Sequence, residues 1–311
     1  MSNDEVKPPA RRRTGRNIIA VVAAAVVVGA LGGWLIHQGT SGPDEGGTAE
    51  AASATDQRGT TLPVPTASPS PAGEAADDKA ADDKAPPGPL AGKVVVIDPG
   101  HNPTNYKHTK EINAPVRIGT TSKECDTTGT ETNNGYTEAT FTLDVSHRLR
   151  DLLEAKGATV KLTYDNDRPF GPCVDERAAI GNKAKADAAL SIHADGAAAG
   201  NRGFHVILPG LVKGDGADTS KITTPSRALG TRIADDFARS TGSSRSNYIG
   251  DGTGLDTRTD LGGLNLSTVP KVFIECGNMR DAKDAALVTS SGWRQKAAQG
   301  LADGISAFLL K

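Results

Sequence analysis

Four residues of this chain have types and settings suited to holding a metal ion and moving a proton: His101, Glu138, His193 and Glu275. Two histidine nitrogens and one carboxylate oxygen form a recurrent ligand set for catalytic zinc, which keeps an open position for water. A second carboxylate beside such a centre is then free to accept and return protons. Residue types alone do not say which glutamate takes which part.

The elements that must carry these groups are legible as apolar patterns. Val94–Ile97, Ala188–Ile192 and Val272–Ile274 are short continuous apolar runs, the pattern of strands covered on both faces. Each is followed at once by a chemically useful residue: Asp98-Pro99-Gly100-His101, His193 and Glu275. Open α/β sheets gather ligands at the carboxyl ends of their strands, and three coincidences of this kind outweigh one. Glu138 comes from a different element. Phe141, Val145, Leu149 and Leu152 recur at steps of four, four and three, the buried stripe of an amphipathic helix starting near Tyr136. Glu138 falls on that stripe in the first helical turn, where a carboxylate is favoured and where an inward side chain needs a partner.

Each residue taken singly has a plainer reading. A histidine at a strand end is most often only hydrogen-bonded, Glu138 can serve a helix N-terminus, and Glu275 can pair with Arg258 or Arg280. His147 reads as solvated, His205 as a structural strand residue, and His108 lies in a long loop that assigns it nothing.

The 311-residue chain carries a net charge of −2 and its C-terminal part has no basic stripe, which argues against a nucleic-acid partner. Its one dense basic cluster, Arg11, Arg12, Arg13 and Arg16, precedes Ile18–Ile36, nineteen residues made only of Ala, Val, Ile, Leu, Gly and Trp34. A helix of that length nearly spans a hydrocarbon core of about 30 Å, and the arginines hold its leading end in the cytoplasm. We read 18–36 as a transmembrane anchor in preference to a cleaved signal, whose apolar region is shorter. Either way the remainder is exported. Residues 1–17 are then a cytoplasmic tail and 37–90 an Ala/Pro/Asp-rich linker too poor in large apolar residues to order itself. Residues 91–311 form one catalytic domain. Of the three cysteines, Cys125 and Cys173 lie in loop-like stretches and are the preferred disulfide pair. Cys276 follows a strand pattern and reads as a buried thiol.

At Val94–His101, Gly135–Val145, Ala186–Asp195 and Val269–Met279 the sequence resembles the zinc-dependent N-acetylmuramoyl-L-alanine amidases of the type 3 family. The resemblance runs from about Lys93 to the C-terminus. It implies that His101, Glu138 and His193 bind Zn2+, that Glu275 is the catalytic carboxylate, and that the substrate is bacterial peptidoglycan, cut between N-acetylmuramic acid and L-alanine. It also implies an α/β fold: a mixed, mostly parallel twisted sheet flanked by helices on both faces. Three positions depart from the family pattern: Asp195 where Asn is frequent, Tyr164 in place of an arginine, and Asn278 where an aromatic follows the glycine. Arg177 still matches a family arginine.

Other elements complete the expectation. Strands are expected at Thr159–Leu162 and Gly203–Leu208, and helices at Asp175–Ala186 and Thr224–Ser240, the latter burying Leu229, Ile233 and Phe237. A final helix buries Ala297, Leu301, Ile305 and Phe308. Asn102–Thr137 reads as a long unstructured connection, of which Pro103–Thr132 can partly cover the site, and Thr241–Leu264 as loop with one short strand. Two other functions use the same residues, a non-catalytic or regulated peptidoglycan-binding domain and a zinc peptidase cutting within the stem peptide. The simplest assembly is a membrane-tethered monomer facing the cell wall.

Overall fold

In the computed structural model the described residues are 88–311. Strand β1 (Val94–Pro99) leads into a long connection that carries a short helix, α1 (Thr109–Ile112), and a hairpin of β2 (Pro115–Arg117) with β3 (Ser122–Glu124). Helix α2 (Glu138–Glu154) then returns the chain to β4 (Thr159–Leu162), and α3 (Val174–Ala184) returns it to β5 (Ala188–Asp195). After β6 (His205–Pro209) come a small hairpin, β7 (Lys213–Gly214) and β8 (Ala217–Asp218), and helix α4 (Thr223–Thr241). The chain ends through β9 (Leu255–Arg258), α5 (Gly262–Asn265), β10 (Lys271–Asn278), α6 (Ala282–Val288) and α7 (Ser291–Leu309).

Six strands form one sheet in the order β4-β1-β5-β10-β6-β9. Strands β4, β1, β5 and β10 are mutually parallel; β6 runs antiparallel to β10, and β9 runs parallel to β6. The sheet is therefore mixed and mostly parallel, as the resemblance implies. Parallel neighbours require crossovers, which α2 and α3 supply, and the arrangement brings the carboxyl ends of β1, β5 and β10 to one edge.

Alternation along the strands sorts side chains between the two faces. Val95, Ile97, Leu190, Ile192, Val272 and Ile274 enter the main core, where they meet α2, α4 and α7. Phe141, Val145 and Leu149 of α2 are fully buried there, as are Leu229, Ile233 and Phe237 of α4 and Ala297, Leu301 and Ile305 of α7. Each large apolar side chain so buried contributes about 1.5–3 kcal/mol. The α2 stripe closes on Leu153 and the α7 stripe on Leu309. Leu152 and Phe308, expected in those places, are only partly buried. The opposite face has a smaller apolar cluster, Val96, Ala186, Ala189 and Val269, packed against Ile180 and Ala184 of α3.

The connection 102–137 is not unstructured. It holds α1 and the β2–β3 hairpin, whose three-residue strands have no apolar alternation to betray them. Helix α3 begins at Val174 and ends at Ala184, where Lys185 turns into the left-handed conformation. Leu90 is fully buried in the main core, its N–H donating to Lys156 O at 2.8 Å, while Gly88 packs against the Lys156 backbone at the end of α2. The fold thus takes in the last residues of the expected linker. The expected anchor at 18–36, the basic tail and most of the linker lie outside the described residues. Among the described residues no helix is long and apolar enough to cross a membrane.

Candidate metal centre

Three elements converge at the carboxyl edge of the sheet. His101 follows β1 with φ at 63°, a left-handed backbone uncommon for a residue with a side chain. The preceding Gly100 is what lets His193 approach, since a Cβ there would lie 2.4 Å from the His193 ring. His193 is carried by β5 and stacks on Phe273 of β10, the rings 5.2 Å apart and nearly parallel. Glu138 opens α2 behind the N-cap Thr137, whose hydroxyl accepts from Thr140 N–H.

Glu138 Oε1 lies 3.1 Å from His101 Nε2 and 3.0 Å from His193 Nδ1. The ligand-capable atoms of all three residues fall within 4.8 Å of one another. Backbone donors fix the carboxylate in place: Thr130 N–H to Oε2 at 2.9 Å and Ala194 N–H to Oε1 at 3.1 Å. Gly129 lies too close to the cluster for a side chain, because its Cβ would sit 2.7 Å from His101 and 2.9 Å from Glu138.

The donor set suits a divalent metal. His101 Nδ1 faces Thr127 O at 3.1 Å. A proton on Nδ1 donated to that carbonyl leaves the Nε2 lone pair free toward Glu138, the hydrogen-bonding habit of metal-bound histidines.

The electrostatics favour positive charge at this point, a proton on His101 where no metal is bound. Burial works against charge on His101, yet Glu138 and Asp126 overcome it and push its pKa up to about 10. Burial likewise opposes ionisation of Glu138, but the two histidines hold it well below the usual carboxylate range. A pocket that concentrates a carboxylate between two imidazoles in this way is one a cation stabilises.

Glu275, on β10, pairs in register with His193 of β5 and, on its other side, with His205 of β6. It lines the same cleft of about 290 Å³ as the three clustered residues, together with Asp195, Arg258 and Phe273. Its Oε2 is buried with no hydrogen-bond partner. Burial, with Glu138 and Asp195 adding negative charge nearby, raises its pKa well above that of an ordinary glutamate. The plainer pairings do not form: Arg258 binds Asp260 through two contacts of 2.8 and 2.6 Å, and Arg280 donates to Glu131 O.

Beneath the cluster lies a charge network that sequence reading mostly missed. Asp98, fully buried, accepts from Lys271 Nζ at 2.8 Å, Arg177 at 2.9 Å and the Thr163 hydroxyl at 2.6 Å. Arg177 also donates to Pro99 O, His101 O and Asp126. Asp126 in turn accepts from Asn105 and stands 3.7 Å from His101 Nδ1. Two buried cations and two buried carboxylates thus fix the turn that aims His101. The available signal was Asp98 itself, a carboxylate ending an apolar run, which must find a partner.

Cys125 and Cys173 are joined by a disulfide, the expected pairing, and Cys276 is a free buried thiol. The bridge ties the residue before Asp126 to the residue before α3, four positions from Arg177. The departures from the family pattern also find places. Asp195 accepts from the Tyr248 hydroxyl at 2.6 Å, and Asn278 donates to the carbonyls of Ala197, Ala198 and Asn201, holding the loop after β5. Tyr164 is buried, its hydroxyl donating to Asn166. His147 binds Asp165 at 2.6 Å at the surface, and His108 stands between the turn at 105–107 and α1.

A family model described as N-acetylmuramoyl-L-alanine amidase matches residues 95–307. The N-acetylmuramoyl-L-alanine amidase Rv3717 of Mycobacterium tuberculosis is 41% identical over 225 residues, which make up 72% of this chain and 90% of the relative. Among solved structures, the N-acetylmuramyl-L-alanine amidase Ami1 of Mycobacterium smegmatis is 39% identical, with a TM-score of 0.65 over 71% of this chain and 98% of its own. The apo form of Ami1 from Mycobacterium abscessus is 40% identical with a TM-score of 0.64, covering 71% and 100%.

Proposed function

This chain belongs to the N-acetylmuramoyl-L-alanine amidase family, and from that premise we propose how its residues perform the hydrolysis. The enzyme cuts the amide between the lactyl group of N-acetylmuramic acid and the L-alanine of the peptidoglycan stem, with zinc held by His101, Glu138 and His193. The observation that carries the assignment of ligands is the meeting of His101 Nε2 and His193 Nδ1 on one carboxylate oxygen of Glu138. Zinc bound there supplies Lewis acidity toward the scissile carbonyl and the attacking water.

Glu275 supplies the proton transfers. It lies beside His193 in the sheet register, in the cleft the substrate must enter. As the water oxygen bonds to the carbonyl carbon, Glu275 takes the water proton; as the carbon–nitrogen bond breaks, it delivers a proton to the alanine amine. Its raised proton affinity suits the second step. Thr127 O and Asp126 hold His101 in orientation throughout, and the Asp98–Arg177–Lys271 network keeps the turn beneath it rigid.

The same reading has the domain outside the cytoplasm as a monomer, tethered through Ile18–Ile36 and a spacer that ends where the fold begins at Gly88. The test is digestion of purified peptidoglycan by the zinc-loaded chain, with mass spectrometry of the released products. Free stem peptides beginning at L-alanine, absent after chelation and with Glu275→Gln, support the reading. Peptides cut internally, or no release from zinc-loaded protein, overturn it. Cell fractionation with and without residues 18–36 tests the tether.

A further inference from the structure

We propose that His205 is a positioning residue for Glu275: its imidazole N–H anchors one carboxylate oxygen so that the other faces the reacting water. The inference rests on the reading of Glu275 given above. Strand β6 is antiparallel to β10, and His205 stands directly opposite Glu275 in that register. Directly opposed residues project to the same face with Cβ atoms about 4.5–5.5 Å apart, within reach of an imidazole and a glutamate. His205 is 4% exposed, and its Nδ1 is buried with no hydrogen-bond partner. Glu275 Oε2 is also buried and also lacks one.

Two unpartnered buried polar atoms on paired residues are costly separately and complementary together: one can donate, the other accept. The aromatic neighbour of the ring is already engaged elsewhere. Tyr248 presents its edge to His205 with ring centroids 6.0 Å apart, but its hydroxyl is committed to Asp195. A turn of the His205 ring toward β10 satisfies both atoms at once. It also gives Glu275 a fixed direction, which proton transfer requires and which a carboxylate free to rotate does not have.

The experiment uses the full zinc-loaded chain, a defined muramyl-peptide substrate, and the variants His205→Ala, His205→Asn, His205→Gln and Glu275→Gln. Removing a hydrogen bond to a charged group lowers kcat by about 10- to 100-fold. His205→Ala is therefore expected to show that loss with KM and bound zinc unchanged. An asparagine amide reaches the place of Nδ1 and a glutamine amide that of Nε2, so His205→Asn restores most of the rate and His205→Gln does not. Because both variants keep a polar amide at the buried position, this ranking decides the matter even if His205→Ala fails to fold. In a Glu275→Gln background, His205→Ala has little further effect. Equal rates for His205→Asn, His205→Gln and wild type, with Glu275→Gln inactive, overturn this inference alone. Full activity of Glu275→Gln overturns it together with the assignment of Glu275.

Discussion

The two faces of the central sheet are built from the same strands and do opposite work. On one, Val95, Ile97, Leu190, Ile192, Val272 and Ile274 meet three helices in a continuous apolar core. On the other, the intervening residues include Asp98, Ser191, His193, Lys271 and Glu275, and the apolar cluster shrinks to a few small side chains. Apolar contacts depend on volume and tolerate small displacements, so they hold the fold together without aiming anything in particular. Buried charges have directional partners and are costly when any partner is lost. Stability and aim are thus divided between alternate residues of each strand.

The comparison predicts that apolar-face substitutions cost stability alone, whereas charged-face substitutions cost activity, and stability as well where a buried ion pair is broken. The largest effect belongs to Glu275→Gln, with kcat reduced about 10²- to 10⁴-fold and an unchanged unfolding midpoint. Concurrent loss of the fold would break the division. Asp98→Ala leaves Lys271 and Arg177 buried without their shared anion, and urea denaturation should register a loss of about 3–5 kcal/mol. On the apolar face, Leu190→Ala should cost about 2–5 kcal/mol, with activity per folded molecule retained. If kcat fell as steeply as stability, the faces would not be separable.

Cys125→Ser tests the brace between Asp126 and α3. It should cost about 2–4 kcal/mol and lower activity in protein that still folds; unchanged activity would show that the bridge has no part in shaping the cleft.

The smallest effect is a dependence on acid. Burial opposes the charge on Asp126, but Arg177 and His101 bring its pKa down to about 2, below its ordinary value of 3.8. A depressed carboxylate stabilises the fold fully above its unfolded pKa and loses that contribution as pH falls through the folded one. In metal-free protein the contribution of Asp126, about 2 kcal/mol, should therefore be lost between roughly pH 4 and pH 2. Asp126→Asn should flatten that part of the stability curve measured by chemical denaturation.

How much of this was legible follows from the same division. The strands and the stripes of α2, α4 and α7 were readable because burial on one face imposes a period. The clustered residues His101, Glu138 and His193 were readable because they sit where those periods start or stop. Lys271 was not, since its contact with Asp98 spans 173 positions and a lysine at the head of an apolar run resembles a solvated end. Asp126 and Asn105 lie in a connection with no periodicity, where nothing local distinguishes a buried side chain from an exposed one. His205 was assigned correctly to a strand. Its empty Nδ1 and its position opposite Glu275 depend on strand pairing, which the linear order does not reveal.

The seating of Gly88 and Leu90 against Lys156 has a mechanical consequence. Helix α2 is 17 residues long and therefore spans about 25 Å, with Glu138 at one end and this seat just past the other. Gly88, the first described residue, thus sits at the far pole, a helix length from the cleft. A pull or a surface attachment applied at Gly88 itself loads the base of the domain, about a helix length from the mouth of the cleft.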